Sequence, residues 1–524
     1  MSDSQSNKDR YHAVVIGAGH NGLVAALRMA QAGLKVVVVE AREVVGGLCA
    51  VESFHPGYAA PGPLHETATL RSEVAKGLGL LNAGLRFKEQ SAPTVVPVAD
   101  GTSFSFHRET PLSIAALKTL APKAATGYAE WAGFVDRMRP LLQAVLSAEP
   151  PPMMVRSMDD MWALGKRGLA LRKLGKDDML ELMRVAPMCA ADWLGENFES
   201  EPLKAALALP GVLSTYYGPW SAGSATTLLA HLCTAEREVE GGVVALMKAL
   251  ETQLEVAGVD IRTSAKVARI NVSGQTATGV TLDDGSVLHA SVVASACDPR
   301  KTFLELIDPL HVPIELEDQV SVFRCRGTVA KVNLALSGPI DLPDRPGHDI
   351  EYLRIAGDTI DDLERAFDPV KYGELPSAPA LDVRVPSIGS PELAPEGHHV
   401  ASIVAGFYPY HLRSGWTDEV RDSIGDTIVS RLERYAPGIS DKIVAREVLT
   451  PVDIETRYGV TGGHIHHGEH ALDQLLFMRP GPSLSRYATP ISGLFLCGSG
   501  SHPGGGVTGA PGWLGAGAVL ASRD

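Results

Sequence analysis

The sequence predicts an α/β fold in which a largely parallel sheet, assembled from discontinuous segments, is interrupted by an inserted α+β unit. Three observations carry that expectation. Residues 12–47 read as strand, glycine turn, helix, strand and second glycine turn. Gly241-Gly242 opens a similar pattern in mid-chain, and the C-terminal stretch returns to a buried strand that runs through a glycine-rich turn into a helix. A chain of 524 residues has room for two domains.

The first unit is the most specific. Residues 12–16 form the short β-branched run that a buried parallel strand needs, and it leads directly into Gly17, Gly19 and Gly22 with G-x-G-x-x-G spacing. Gly17 makes the tight turn, Gly19 lets backbone approach a pyrophosphate, and Gly22 lets the helix over 21–31 pack on the strand with its positive end toward the phosphates. Val36–Val39 is the next strand, and Glu40 at its carboxyl end can accept hydrogen bonds from both ribose hydroxyls. This is a Rossmann-type dinucleotide site. Ala41 and Arg42 followed by Gly46-Gly47 extend the motif past the ribose carboxylate, which points to FAD and away from a simple nicotinamide site.

Composition narrows the class. With 45% hydrophobic and 21% charged residues the chain is globular, and a net charge of -14 argues against a nucleic-acid partner. Six cysteines (Cys49, Cys189, Cys233, Cys297, Cys325, Cys497) show neither C-x-x-C nor metal-ligand spacing and read as buried thiols of a reducing compartment. The leader MSDSQSNKDRYH has no apolar core and no run is long enough to span a bilayer. A short disordered leader and a cytoplasmic location are therefore expected.

The remaining elements follow in order. The loop after Gly47 carries His55, His65 and Glu66 before a helical pattern over 71–81. In flavoproteins of this build that loop passes the isoalloxazine ring, so His65 is a candidate active-site residue and a structural turn histidine is the alternative. Strand-like pieces at 94–98 and 102–107 precede mainly helical sequence. Within it, Met158, Met161, Trp162, Leu169, Leu171 and Leu174 are interleaved with Lys166, Arg167, Arg172, Lys173 and Lys176. That stripe in 153–188 suits either an anionic membrane surface or a solvated face over ordinary core. After Gly241-Gly242, a helix (243–254), a strand (259–263), a hairpin pair (266–272 and 276–281) and a strand (287–295) return to the first unit. Val267 is expected to contact the adenine.

In a second insert, residues 328–336 alternate so that Val329, Lys331, Asn333 and Ala335 share one face, and Lys331 is either an inward lysine needing a partner or a solvated one. His464, His466, His467 and His470 match no metal-site pattern, so no metal is expected. The strand over 493–498 and the turn holding Gly498, Ser499, Gly506, Val507 and Thr508 lead into a helix whose amino end suits an anion or an electron-rich ring edge. The expected division is 1–84, 241–303 and 451–524 for the FAD domain, with 85–240 and 304–450 for the substrate domain.

VVIGAGHNGLVAA, GPWSAGSATTLLAH, VVASACDPRKTF, TGGHIHHGEHALDQLLFMRP and LFLCGSGSHPGGGVTGAPG together resemble the phytoene desaturase-like branch of the flavin amine oxidase superfamily. The nearest likeness is to its pyridine nucleotide-disulfide oxidoreductase domain-containing protein 2 group. The likeness covers nearly the whole chain. Leu48 and Ser499 depart from the Arg and the acidic residue that amine oxidases often place there, and without C-x-x-C no dithiol chemistry is expected. The resemblance implies an FAD oxidoreductase in which Lys331 holds a water against flavin N5 and His502 lies beside the ring. It further implies hydride removal from a carbon of an apolar or amphipathic small molecule, with oxygen or a quinone as electron acceptor and possible peripheral membrane contact. The alternatives are a redox-neutral FAD-dependent isomerase and a non-catalytic lipid-binding escort of the same fold. An escort would not need the Gly17, Gly19, Gly22 and Glu40 set.

Overall fold

A run of four valines has no polar face to offer solvent. In the computed structural model, which describes residues 10–120, 122–151 and 158–523, it forms the strand β2 (Val36–Val39), buried on both faces. It lies between β1 (Arg10–Ile16) and β7 (Asp260–Arg262), and β1 pairs in turn with β10 (Val287–Ser295), all parallel. β10 also pairs parallel with β16 (Leu494–Leu496) at its carboxyl end and antiparallel with β9 (Thr276–Leu282), which pairs β8 (Val267–Ser273) across a hairpin. One sheet is thus drawn from three distant stretches of chain. Ala13, Val15, Val36 and Val38 pack on one face beneath the helices His20–Gln31, Gly242–Val256 and Ala510–Ala521. Val14, Ile16, Val37 and Val39 pack on the other, against Phe303, Ile307 and Leu316.

The second sheet has the order β15-β11-β14-β13-β12-β5-β6. Its strands β5 (Thr94–Pro97) and β6 (Ser103–Phe106) come from one insert. The other supplies β11 (Val329–Leu336), β12 (Tyr352–Ile355), β13 (Leu381–Arg384), β14 (His399–Gly406) and β15 (Ile443–Leu449). All pairs are antiparallel except β12 with β5. β11 lies between β15 and β14, second from one edge of the sheet, and all eight of its residues are buried. Ala330, Val332, Leu334 and Leu336 pack with Ile424, Ile428 and Leu432 of the helix Asp418–Tyr435, so Lys331 and Asn333 project from the opposite face. Helices between 110 and 234 form a separate apolar layer with Trp131, Trp193 and Phe367 at its centre.

The expected helix over 71–81 is shorter, Ser72–Gly77, because Trp513 packs against Gly77 and Gly79 turns the chain in the left-handed region. All six cysteines are free, and five are buried. Among the described residues no helix is long and apolar enough to cross a membrane. The expected disordered leader over 1–12 is shorter, because residues 10–12 already belong to β1, where Arg10 and Tyr11 pair with His289 and Ala290 of β10. Residues 1–9, Met153, and the side chains of Lys166 and Arg167 lie outside the described residues.

Candidate functional site

The first half of the site is a seam between the two glycine-rich ends of the chain, at the carboxyl ends of the parallel strands. Such ends leave a crevice where ligands bind in open α/β sheets. A Cβ on Gly22 would fall 2.0 Å from the Gly17 carbonyl and 3.2 Å from Ala296, so only glycine lets the helix come this close to the strand turn. Gly46 donates its N–H to the Ala18 carbonyl at 2.8 Å and bridges to Gly19, which ties the two turns together. At the other end a Cβ on Gly498 would lie 2.4 Å from the Ala296 carbonyl. Asn21 Nδ2 donates to Ser499 Oγ at 2.9 Å, His20 Nε2 lies 3.1 Å from the Gly506 carbonyl, and Arg71 donates its N–H to Thr508.

This seam fits a dinucleotide. The first turn of the helix His20–Gln31 has no capping side chain and no acidic residue, so its N–H groups and positive end are unspent. The buried Glu40 carboxylate accepts from Ala18 N at 2.8 Å and Arg42 N at 3.0 Å and has no cation partner among the described residues, leaving lone pairs for hydroxyl donors. Arg42 pairs with Glu52 at 2.5 Å, and Val267 opens β8 as a buried residue.

The second half is a buried side-chain relay. Lys331 Nζ donates to Ser402 Oγ on the paired strand β14, and Nζ lies 3.4 Å from His65 Nδ1. His65 Nδ1 is 2.8 Å from Ser402 Oγ, and its Nε2 is 3.7 Å from Asp382 on β13. Burial pushes Lys331 down from the usual 10.5 to about 7, against the opposing pull of Glu447 and Asp382. Burial, followed by the charge of Lys331, holds His65 down at about 3, so its ring is neutral. Asp382 is held well below the usual carboxylate range by His65, Arg384 and Arg354, which together outweigh its burial.

His65 and Asp382 open onto a cavity of about 350 Å³ walled by aliphatic side chains, among them Leu142, Val145, Leu209, Leu213 and Leu229. Gly506, Val507 and Thr508 close one side, so the C-terminal glycine turn borders the cavity. His466 and His470 also line it, stacked with centroids 4.9 Å apart. His470 Nε2 accepts from Gly505 N at 3.1 Å, and the pair serves as a wall for the glycine turn. His502 is fully buried with Nε2 3.2 Å from the Val145 carbonyl, and its side chain is not among those lining the cavity. The structure therefore brings Lys331 and His65 together, and Lys331, like His502, stands outside the cavity lining, with His65 between it and the cavity.

The model of the flavin containing amine oxidoreductases matches residues 22–512. The chain belongs to that family. Its cofactor is FAD, and it is an oxidoreductase. The mouse pyridine nucleotide-disulfide oxidoreductase domain-containing protein 2 is 33% identical, over 96% of this chain and 92% of its own length. The neurosporene-forming phytoene desaturase of Cereibacter sphaeroides is 26% identical over 98% and 94%. Among solved structures, an oxidoreductase from Methanosarcina mazei superposes with a TM-score of 0.59 at 17% identity, over 98% of this chain and 100% of that one, which shows a shared fold.

For a flavin family member, four residues of this site had no signal in the sequence: Ser402, Asp382, Arg354 and Arg384. They lie on strands whose partners are far away in the chain, and only the register of β12, β13 and β14 sets them beside His65 and Lys331. Arg479 was also missed. It is fully buried and donates to the carbonyls of His466, Gly468, Glu469 and Ser499, tying the histidine-rich segment to the terminal glycine turn.

Proposed function

We propose that this chain is an FAD-dependent dehydrogenase of the desaturase kind, which removes a hydride and a proton from neighbouring carbons of an apolar or amphipathic substrate and leaves a double bond. The observation that carries the reading is the aliphatic cavity bordered by the C-terminal glycine turn and by His65 and Asp382, behind which Lys331 stands 3.4 Å from His65. A relative named for phytoene desaturation supports it. Gly17, Gly19, Gly22, Glu40, Arg42, Gly46, Gly47 and Val267 would hold the FAD from one end of the chain, and Gly498, Ser499, Gly506, Val507 and Thr508 from the other. FAD, when held there, would supply a two-electron acceptor for the hydride, with oxygen or a quinone as the final oxidant.

The aliphatic walls orient the substrate and exclude water. Lys331, near neutral at physiological pH, takes up the proton, and Ser402 and His65 hold its amine in place. Asp382 keeps His65 in the tautomer that accepts from Ser402. In this reading the sheet of β5, β6 and β11–β15 with the helices of 110–234 forms the substrate side, and His502 is a packing residue. The test is anaerobic mixing of the yellow holoprotein with polyenes, acyl chains and amines. A polyene or acyl chain should bleach the flavin band in step with its own desaturation. Consumption without bleaching would point to isomerisation, and bleaching by amines alone would sink the proposal.

Access from a bilayer surface is part of the reading. The helices Met158–Lys173 and Lys176–Val185 expose Met158, Met161, Trp162, Leu169, Leu180 and Met183, each at least half accessible, beside the exposed Arg172, Lys173 and Lys176. The second helix also turns Leu182 into the cavity wall. An apolar outer face rimmed by cations suits an anionic membrane from which an apolar substrate would enter.

A further inference from the structure

Beyond the aliphatic cavity lies a second, polar one of about 140 Å³, and the two share Glu66, Pro210, His231 and Arg354 as a common wall. The polar chamber gathers arginines and carboxylates that a folding chain normally pairs off. Most are paired. Arg384 faces Glu66 at 3.4 Å, Glu238 at 3.6 Å and Asp382 at 3.6 Å, and Arg139 donates to the carbonyls of Leu232 and Ala235. Arg354 donates to the Ala206 carbonyl, and its Nε, 3.7 Å from Asp382, has no hydrogen-bond acceptor. Arg108 is the exception. Among the described residues it makes no ion pair and no hydrogen bond, and its Nη2 is buried without a partner. Burial is the main influence on it and lowers its pKa, while Glu66, Glu238 and Glu109 pull the other way.

Arg108 is partly buried, and an Nη2 enclosed without a partner is costly unless something arrives to use it. We infer that the polar chamber is an anionic-headgroup seat, in which Arg108, helped by the free Nε of Arg354, binds the carboxylate of a substrate whose apolar body fills the neighbouring cavity. The inference rests on the proposed apolar-substrate reading and narrows it to a carboxylate-bearing amphiphile. A planar monoanion suits the guanidinium fork. A dianionic phosphate would meet the field of Glu66, Glu238 and Asp382, and an amine would find those three carboxylates already facing Arg384.

The experiment titrates the FAD-loaded protein, wild type and Arg108→Gln, with decanoate, decanol, decylamine and decyl phosphate, following both the visible flavin spectrum and the heat of binding. Decanoate should bind about tenfold or more tighter than decanol to the wild type, as expected for charge-assisted hydrogen bonds. Arg108→Gln should erase that difference while leaving decanol affinity and the melting temperature no lower. If Arg108→Gln misfolds, Arg108→Lys, which keeps charge without the fork, should retain only part of the preference. Equal binding of decanoate and decanol, tighter binding of the amine or phosphate, or a preference that survives Arg108→Gln would overturn the headgroup seat and leave the apolar cavity standing. Failure of all four to bind would instead defeat the apolar-substrate reading itself.

Discussion

The glycine seam and the chamber behind it are built from opposite materials. At the seam the chemistry is carried by backbone: N–H groups at an uncapped helix end, carbonyls in close approach, and one carboxylate held by two amides. In the chamber it is carried by side chains, with a lysine, a serine, a histidine and an aspartate in line from β11 to β13. Backbone sites cost the fold little, because glycine and a helix terminus need no desolvated charge. The side-chain site is expensive, since Lys331 is about 1% exposed and loses the hydration of its ammonium. A position where the fold tolerates such a cost is one where function is the reason to keep it.

That contrast can be broken at four points, taken from the largest expected effect downward. Gly22→Ala places a methyl carbon against backbone that cannot yield, so it should cost about 3 kcal/mol or more and strip the flavin. The checks are the visible-to-ultraviolet absorbance ratio and a melting curve, and a yellow, fully stable variant would show that the seam is not rigid. Lys331→Met should slow anaerobic flavin bleaching by the identified substrate about 100-fold or more while raising stability by about 1–4 kcal/mol. The two readouts moving in opposite directions separate a functional lysine from a structural one.

The pH dependence of wild-type stability sharpens the same point. The folded Lys331 titrates near 7 and the unfolded one near 10.5, so between those values the unfolded chain holds a proton that the folded chain lacks. This residue therefore makes stability climb as pH rises through that window, and Lys331→Met should flatten the slope in denaturant titrations at a series of pH values. Glu40→Gln removes a charge and one set of charge-assisted acceptors without a clash. It should weaken FAD binding about 10–100-fold, read by flavin fluorescence on dilution, with little loss of fold stability. The smallest effect belongs to Trp162→Glu on the exposed helix. It should reduce co-sedimentation with anionic vesicles about tenfold and leave stability within about 0.5 kcal/mol.

The same contrast explains what could be read in advance. The strand 287–295 and the turn glycines of the first unit were legible because their demands are local: a β-branched run, a spacing of glycines, an acid one residue past a strand. Lys331 stood out in an alternating strand, but whether it faced inward depended on β14 and β15 flanking β11. His65 could be placed only through its contact with Ser402, 337 positions away. Arg108 looked like any other charged residue in a strand-to-helix turn until the helices of 110–234 folded over it.

The sequence by itself determined the α/β class, the dinucleotide-type turn and its flavoprotein extension, because glycine spacing and hydrophobic period act over a few residues and survive without neighbours. Only the tertiary structure decided which side chains share an enclosed space: the lysine with the histidine, and the free arginine with the polar chamber beside the aliphatic cavity. Desolvation and pairing are properties of enclosed volume, and enclosed volume exists only after distant strands and helices have met.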